Sequence, residues 1–411
     1  MRGPKVDDVA GRVDEALRSL DLSARVRPGD RVAVTAGSRG IAHIAVATRA
    51  AIEHVRALGA EPFIVPAMGS HAGGTPEGQI ALLATLGITE ESCGCPIDAR
   101  MDVVTLAESK LGFPVLYAAA AAEADHVIIV NRVKTHTRFT GAVESGLGKM
   151  ATIGLGKVEG AALYHQATFE LGWMDVIDDV LPIVVDKGKI VAGLALVERG
   201  DEETARIEAI QGDAIRDIEP QLLADANRWM ATLPFSDIDL LLIDEIGKNI
   251  SGTGLDPTVV GRKDALHVAD PQRDVRVRYI AARALTEETH GNAVGIGFAE
   301  LCRSRVVRDM DVAVTRLNAL TAGNVPAAMV PVDYETDGEI IDAVLPLLGL
   351  RSPSAARMMW IRSTLDVEVV ACSEGLLEEA RVRDDIEVLG GRWPLPLGDD
   401  GNLPDLLPLP G

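Results

Sequence analysis

Apolar positions along this chain repeat at two periods, and the period switches several times. Residues 7–20, DDVAGRVDEALRSL, place Val9, Val13, Leu17 and Leu20 at helical spacing and predict an amphipathic helix. An RPGD turn follows, and RVAVTAGSRG predicts a buried strand running into a Gly/Ser loop. IAHIAVATRAAIEHVRALGA predicts a helix that ends near Gly59. EPFIVPAMG predicts a second strand, GSHAGGTPEG a polar loop and QIALLATLG a helix, with the T-P-E proline suited to a first helical turn. Strand, polar loop and helix in alternation build a parallel sheet. Such sheets bind ligands at the carboxyl ends of their strands.

HVIIVNRV (residues 126–133) is a third buried strand. Residues 174–198 predict a helix, a strand, a Lys187-Gly188 turn and a second strand, together a hairpin. GDEETARIEAI continues the sheet or its edge, and GDAIRDIEPQLLADANRWM predicts a helix. A domain change near residue 235 precedes the buried strand in LPFSDIDLLLIDEIG, which runs into the Gly-rich KNISGTGLDPTVVG. RVRYIAARAL predicts a strand or a helix, FAELCRSRVVRDM a helix, and DVAVTRLNAL the start of another. AAMVPVDYETDGEIIDAVLPLLG combines a strand with an acidic helix, and MMWIRSTLDVEVVACSEGLLEEA paired strands with a helix. The predicted fold is two α/β domains with mostly parallel sheets and an active-site crevice between them. Residues 1–235 form an N-terminal cofactor-binding domain and 236–385 a C-terminal α/β domain. Residues 386–411 form a Pro/Gly-rich tail that either packs back on the N-terminal domain or is loosely ordered.

Composition narrows the function. A net charge of -21 argues against nucleic-acid binding, which needs a basic footprint, and favours a small-molecule ligand. Aromatics make up only 3% of the chain, in keeping with sheet–helix packing by small and branched residues. No apolar run is long enough to predict a membrane span, and the first residues carry acids rather than the apolar core of a secretory signal. Cys93 and Cys95 form a C-x-C without a second pair at zinc-site spacing, so the four cysteines read as reduced thiols and the compartment as cytoplasmic.

The chemistry-bearing residues gather after the strands. Arg39 follows the first strand, His71 the second, and Lys134 and His136 the third. His71 lies between glycines that let backbone approach a ligand, and an imidazole suits general acid/base work. His136 lies beyond a very apolar strand, and two histidines from different strand ends suit a reaction needing a base on either face of one centre. The stretch 131–165 also carries Lys149 in G-L-G-K-M and Lys157 in G-L-G-K-V, out of nine lysines in the chain. The pair resembles a phosphate loop, but Met150 and Val158 stand where that motif needs Ser or Thr, so a nucleoside triphosphatase is excluded. A lysine among glycines can instead pair with an anion or bond covalently to a cofactor. His165 is a metal ligand or a helix-surface histidine. Arg39 could grip a carboxylate through two N–H groups, and Lys248 could reach the crevice from the second domain.

Taken together, the Arg39 loop, the G-S-H motif at His71 and the block from His136 through Lys149 to His165 resemble the nickel-dependent lactate racemase family over most of the chain. The sixteen residues from Lys149 to His165 resemble that family's interval between cofactor-bearing lysine and nickel-ligating histidine. The resemblance implies a nickel-pincer nucleotide, a pyridinium thioamide/thiocarboxylate mononucleotide, held covalently by Lys149 and contacted by Ser38 and Gly69, with His165 on the nickel. It implies His71 and His136 as paired acid/base groups, and Arg39 and Lys248 as substrate contacts. The implied activity is racemisation or epimerisation at C2 of a 2-hydroxy acid, a sugar acid among the candidates, and the implied partners are the proteins that synthesise the cofactor. Ala36 and Ala72 replace an acid and an arginine of the family pattern, and the His136–Lys149 link is longer, which implies a divergent member with a substrate other than lactate. Lys157 is the rival anchor. Two further readings stay open: a non-catalytic binder or carrier of the same nucleotide, and a zinc hydrolase built on His71, His136 and His165 with Glu144 as its acid.

Overall fold

The computed structural model describes residues 3–38, 40–137, 139–263, 269–270, 273–321, 323–349 and 351–408. It divides into two compact units, Met1–Met230 and Ala231–Gly411. The strands of the first unit are β1 (Arg31–Ala36), β2 (Glu61–Pro66), β3 (Val103–Glu108), β4 (Pro114–Ala118), β5 (His126–Arg132), β6 (Ile190–Glu198) and β7 (Thr204–Gln211). Five of them form one sheet in the order β2-β1-β5-β6-β7, while β3 and β4 pair as a separate hairpin. The β1–β2, β1–β5 and β5–β6 pairs are parallel, and β7 closes the edge antiparallel to β6.

The sequence shows why this sheet is an interior one. β1 and β2 are buried at every position but the first, because helices cover both faces of a parallel sheet. Val32, Val34 and Ala36 of β1 join one core and Ala33 the other, the two-residue alternation of a strand between two layers. Helices α1 (Val9–Arg18) and α2 (Ile44–Ala57) cover the first face through Val13, Leu17, Ala51 and Val55. α3 (Pro76–Thr85) opens with Thr75 Oγ1 accepting the Gly78 N–H at 3.1 Å, as T-P-E predicts, and α4 (Glu90–Cys93) and α5 (Ala119–Ala122) are single turns. α6 (Leu147–Lys149), α7 (Lys157–Leu171), α8 (Trp173–Lys187) and α9 (Ile215–Trp229) follow, with α8 and α9 burying Ile177, Val180, Leu222 and Leu223 on the second face. Each such side chain, fully buried, stabilises the fold by roughly 1.5–3 kcal/mol.

β2 and β5 lie on opposite sides of β1, so the chain leaves β1 in one direction and β5 in the other. The carboxyl ends of β1 and β5 therefore flank a topological switch point, where α/β sheets open a crevice.

The second unit has β8 (Asp237–Ile246), β9 (Arg276–Leu285), β10 (Leu301–Arg303), β11 (Val332–Tyr334), β12 (Met358–Ile361) and β13 (Ala371–Cys372) in the order β11-β10-β9-β8-β12-β13. Only the β12–β13 pair is antiparallel. Helices α10 (Ser304–Asp309), α11 (Val312–Thr321), α12 (Asp337–Val344) and α13 (Glu374–Val382) complete it. Among the described residues, no helix is long and apolar enough to cross a membrane.

The expected α/β architecture with mostly parallel sheets holds, and three details change. The Lys187-Gly188 hairpin is absent: residues through Lys187 are one helix, with Pro182 inside it, and the real hairpin joins β6 to β7. FAELCRSRVVRDM opens as β10 before turning helical at Ser304. The tail is ordered as part of the core of the second unit, with Leu403 and Leu407 buried there. Arg283, fully buried, holds the tail in place. It bonds to both oxygens of Asp337 at 2.8–2.9 Å, pairs with Asp244, and donates to the carbonyls of Leu403, Pro404 and Asp405. The cysteines are free thiols, and burial pushes Cys95 up to about 11.

Candidate functional site

The loop after β5 is pinned at its neck. Lys134 and Ser145 exchange backbone hydrogen bonds of 2.7 and 3.2 Å, closing the segment between them into a compact excursion. Inside it, the fully buried Glu144 accepts the N–H groups of His136 at 2.8 Å and Gly141 at 3.3 Å. The Phe139 N–H donates to His136 Nδ1 at 2.9 Å, so the neutral imidazole carries its proton on Nε2. Thr135 is tied to Asn227 of α9, and Trp173 Nε1 donates to the Val143 carbonyl at 2.6 Å. The orientation of His136 is thus fixed by backbone on several sides.

Phe139 is the centre of the cluster. The His136 ring stacks on it at 4.5 Å and 15°, and the Trp173 ring at 4.3 Å and 3°. The His165 ring lies 6.0 Å from it, and Lys149 Nζ 5.9 Å from its centroid. Three of the expected site residues, His136, Lys149 and His165, therefore meet around one buried ring. Lys149 ends α6 and is followed by a π-helical stretch, Met150–Gly154, a distortion that recurs at functional sites.

The second G-L-G-K is built for a different purpose. Lys157 is fully buried and left-handed at φ 54°, and its Nζ donates to the Pro66 carbonyl at 2.9 Å. Burial pushes its ammonium down to about 8, with Asp98 acting in the opposite sense. The amine of Lys157 ties α7 to the end of β2, while that of Lys149 lies beside Phe139.

His71 sits on the loop after β2, and its Nδ1 shares a short hydrogen bond with Ser38 Oγ on the loop after β1. Ala72, Gly73 and Gly74 are all left-handed, which bends the loop sharply after His71. Gly69, also left-handed, donates its N–H to the Gly154 carbonyl at 3.1 Å, and its own carbonyl accepts from Gln79 at 3.0 Å. A Cβ there would lie 3.2 Å from that of Ala161, so this glycine lets the His71 loop lie against α7. Ser38 and His71 thus form a pair at the carboxyl ends of β1 and β2, next to the strand that carries His136. Arg39 lies outside the described residues. Lys248 belongs to the second unit, on the loop after β8, where its Nζ donates to the Gly252 carbonyl.

Two clefts, of about 510 and 590 Å³, open at the opposite, amino ends of the strands. They are lined by residues such as Arg25, Lys189 and Arg216 or Arg31, Phe63 and Arg100, and hold none of the candidates. Among the described residues, no group of three or more His, Cys, Asp or Glu side chains could hold a metal ion. The zinc arrangement of His71, His136 and His165 is therefore not formed. Both oxygens of Glu144, its expected acid, accept backbone N–H groups. Sequence reasoning missed Phe139, Trp173 and the bracing role of Glu144. A rare aromatic inside the histidine–lysine block was a usable signal for Phe139.

Histidine and lysine side chains thus gather beyond the carboxyl ends of β1, β2 and β5, at the switch point of the sheet. No family model matches the chain, and no curated protein matches it by sequence. Solved structures do. The lactate racemase apoprotein from Thermoanaerobacterium thermosaccharolyticum superposes with a TM-score of 0.54 at 12% identity, over 89% of this chain and 94% of that one. A Thermotoga maritima protein solved by structural genomics matches with a TM-score of 0.53 at 13% identity, over 80% of this chain and 84% of that one. The chain has a divergent lactate-racemase-like fold of two α/β units.

Proposed function

We propose that this chain is a racemase or epimerase that inverts C2 of a 2-hydroxy acid with a nickel-pincer nucleotide. The observation that carries the reading is the meeting of His136, Lys149 and His165 around Phe139. The donor set suits the nucleotide: an amine able to form a thioamide lies near an imidazole, a ligand type that nickel accepts. Lys149 would carry the cofactor, because the rival amine of Lys157 is buried against the Pro66 carbonyl. His165 would bind nickel, and the Ser38 and Gly69 loops would border the cofactor. When bound, the nucleotide would supply the hydride chemistry at C2.

The remaining chemistry belongs to the protein. His71 and His136 take and return the proton of the 2-hydroxyl group, one on each side of the planar 2-oxo stage. Ser38 orients His71 through Nδ1, and the Phe139 N–H orients His136 through Nδ1, so each ring presents Nε2 to the substrate. Arg39 and Lys248 would hold the substrate carboxylate or hydroxyl. Ala36 and Ala72, where the resembled family carries charged residues, favour a substrate other than lactate.

The test is to produce the chain with the cofactor-synthesis proteins. Nickel near one per chain, a mass increment on the Lys149 peptide and interconversion of a chiral 2-hydroxy acid by chiral chromatography support the reading. His71→Ala and His136→Ala should each abolish interconversion while nickel is retained. Loaded protein inactive on a broad panel would make it a binder or carrier, and protein without nickel or mass increment would sink the cofactor assignment.

A further inference from the structure

Glu219 is a buried acid with no part in the proposed chemistry. It lies on α9, 71 residues along the chain from Gly148, yet its Oε2 accepts the Gly148 N–H at 2.8 Å. Its Oε1 is equally buried and has no hydrogen-bond partner. A Cβ on Gly146 would lie 2.1 Å from Oε1, so glycine at 146 is what admits the carboxyl group. The Gly146 carbonyl in turn accepts from Asn131 Nδ2 at 2.9 Å, which joins the turn to the end of β5. Lys149 is the next residue after the N–H that Glu219 holds. The first G-L-G-K is thus shaped to receive a carboxyl group from inside the protein.

We propose that Glu219 is a positioning residue for Lys149: its carboxylate holds the Gly146–Gly148 turn and tightens that hold on losing its proton. This rests on Lys149 as the attachment residue. An ionised carboxylate accepts an N–H roughly twice as strongly as a neutral group. Burial pushes Glu219 up to about 7, while the Gly148 and Leu147 N–H groups and Arg216 pull it down. The hold therefore changes strength in the neutral range. Arg216, on the same helix, is paired with Asp178 of α8. The charged residues on the other elements packed against α9 are Lys149 on α6, Glu198 on β6, Arg206 and Glu208 on β7, and Asp213 just before the helix. Glu198 is engaged by Arg132, and Glu208 by Arg206.

The test needs no cofactor. The full-length chain is acetylated with N-hydroxysuccinimidyl acetate, and the rate at Lys149 is divided by that at the exposed Lys187, read by peptide mass spectrometry. A tightening turn should lower this ratio by about twofold or more between about pH 6 and 8.5. In Glu219→Gln, which keeps the size and one acceptor oxygen, the ratio should be flat. A flat ratio in the wild type, or the same fall in the variant, overturns the proposal, and the wild-type profile decides alone if the variant does not fold. A Lys149 adduct with a flat wild-type ratio would sink the positioning role only. A titrating ratio without any adduct after cofactor maturation would sink the attachment role only.

Discussion

Replacing Glu219 by Gln should change the pH dependence of stability more than stability itself. The folded state raises the carboxyl from its ordinary 4.5 to about 7. At ~1.36 kcal/mol per pKa unit, that shift corresponds to about 3 kcal/mol. The sign follows from proton counting. Between the two values the folded chain holds a proton that the unfolded chain has lost, so stability falls as pH rises from about 4.5 to about 7 and is level above. Gln has no charge to bury at any pH. Its amide nitrogen would sit without a partner where Oε1 now does, a pH-independent cost of about 1–3 kcal/mol. The difference between variant and wild type should therefore move in the variant's favour by about 3 kcal/mol between pH 4 and pH 8. For a unit of this size, about 2–4 °C per kcal/mol makes that a relative shift of roughly 6–12 °C. Differential scanning calorimetry at the two pH values reads it from the transition of the first unit. Equal shifts at both values would refute the buried titrating carboxyl, and with it the physical basis of a pH-dependent hold on Lys149.

The other expectations concern three more buried residues. Arg283→Leu should destabilise the second unit by about 3–5 kcal/mol, because Asp244 and Asp337 are left buried without their partner. Urea unfolding together with proteolysis of the freed tail checks this. Lys157→Met keeps the buried stem and removes the ammonium. The wild type should gain stability as pH rises from about 8 towards 10.5, where the unfolded chain holds a proton the folded one has lost, and the variant should not. Urea midpoints across that range decide it. Phe139→Ala should cost about 3–5 kcal/mol in thermal unfolding through lost packing. It should also lower nickel per chain after cofactor maturation, since His165 and Lys149 lose the ring they share.

What the sequence disclosed depended on whether the deciding contact was local. Uninterrupted apolar runs such as HVIIVNRV announced strands covered on both faces, and loops beginning at Gly37, Gly69 and Val133 announced the side of the sheet that carries chemistry. VLPIVV misled because β-branched residues with a proline suit a strand locally. In α8 those residues face a sheet, and burial of Val180, Leu181 and Val184 outweighs propensity. Leu403 and Leu407 were illegible in a Pro/Gly-rich tail because the residues that bind their backbone, Asp244, Arg283 and Asp337, and the apolar cluster that buries their side chains lie far back along the chain. The two G-L-G-K tetrapeptides show the same limit within the candidate site. As sequence they are identical, and only the residue that follows separates them. In the fold, Gly146 admits a carboxyl group from α9 and Gly148 donates its N–H to it, whereas Gly154 passes so close to the end of β2 that a Cβ would lie 2.6 Å from the Ala67 carbonyl oxygen. One lysine consequently emerges beside an aromatic ring with two histidines, and the other is buried on a backbone carbonyl. Their roles are set by what approaches the glycines from elsewhere in the chain, so the repeat could point to the right segment but could not choose between its two amines.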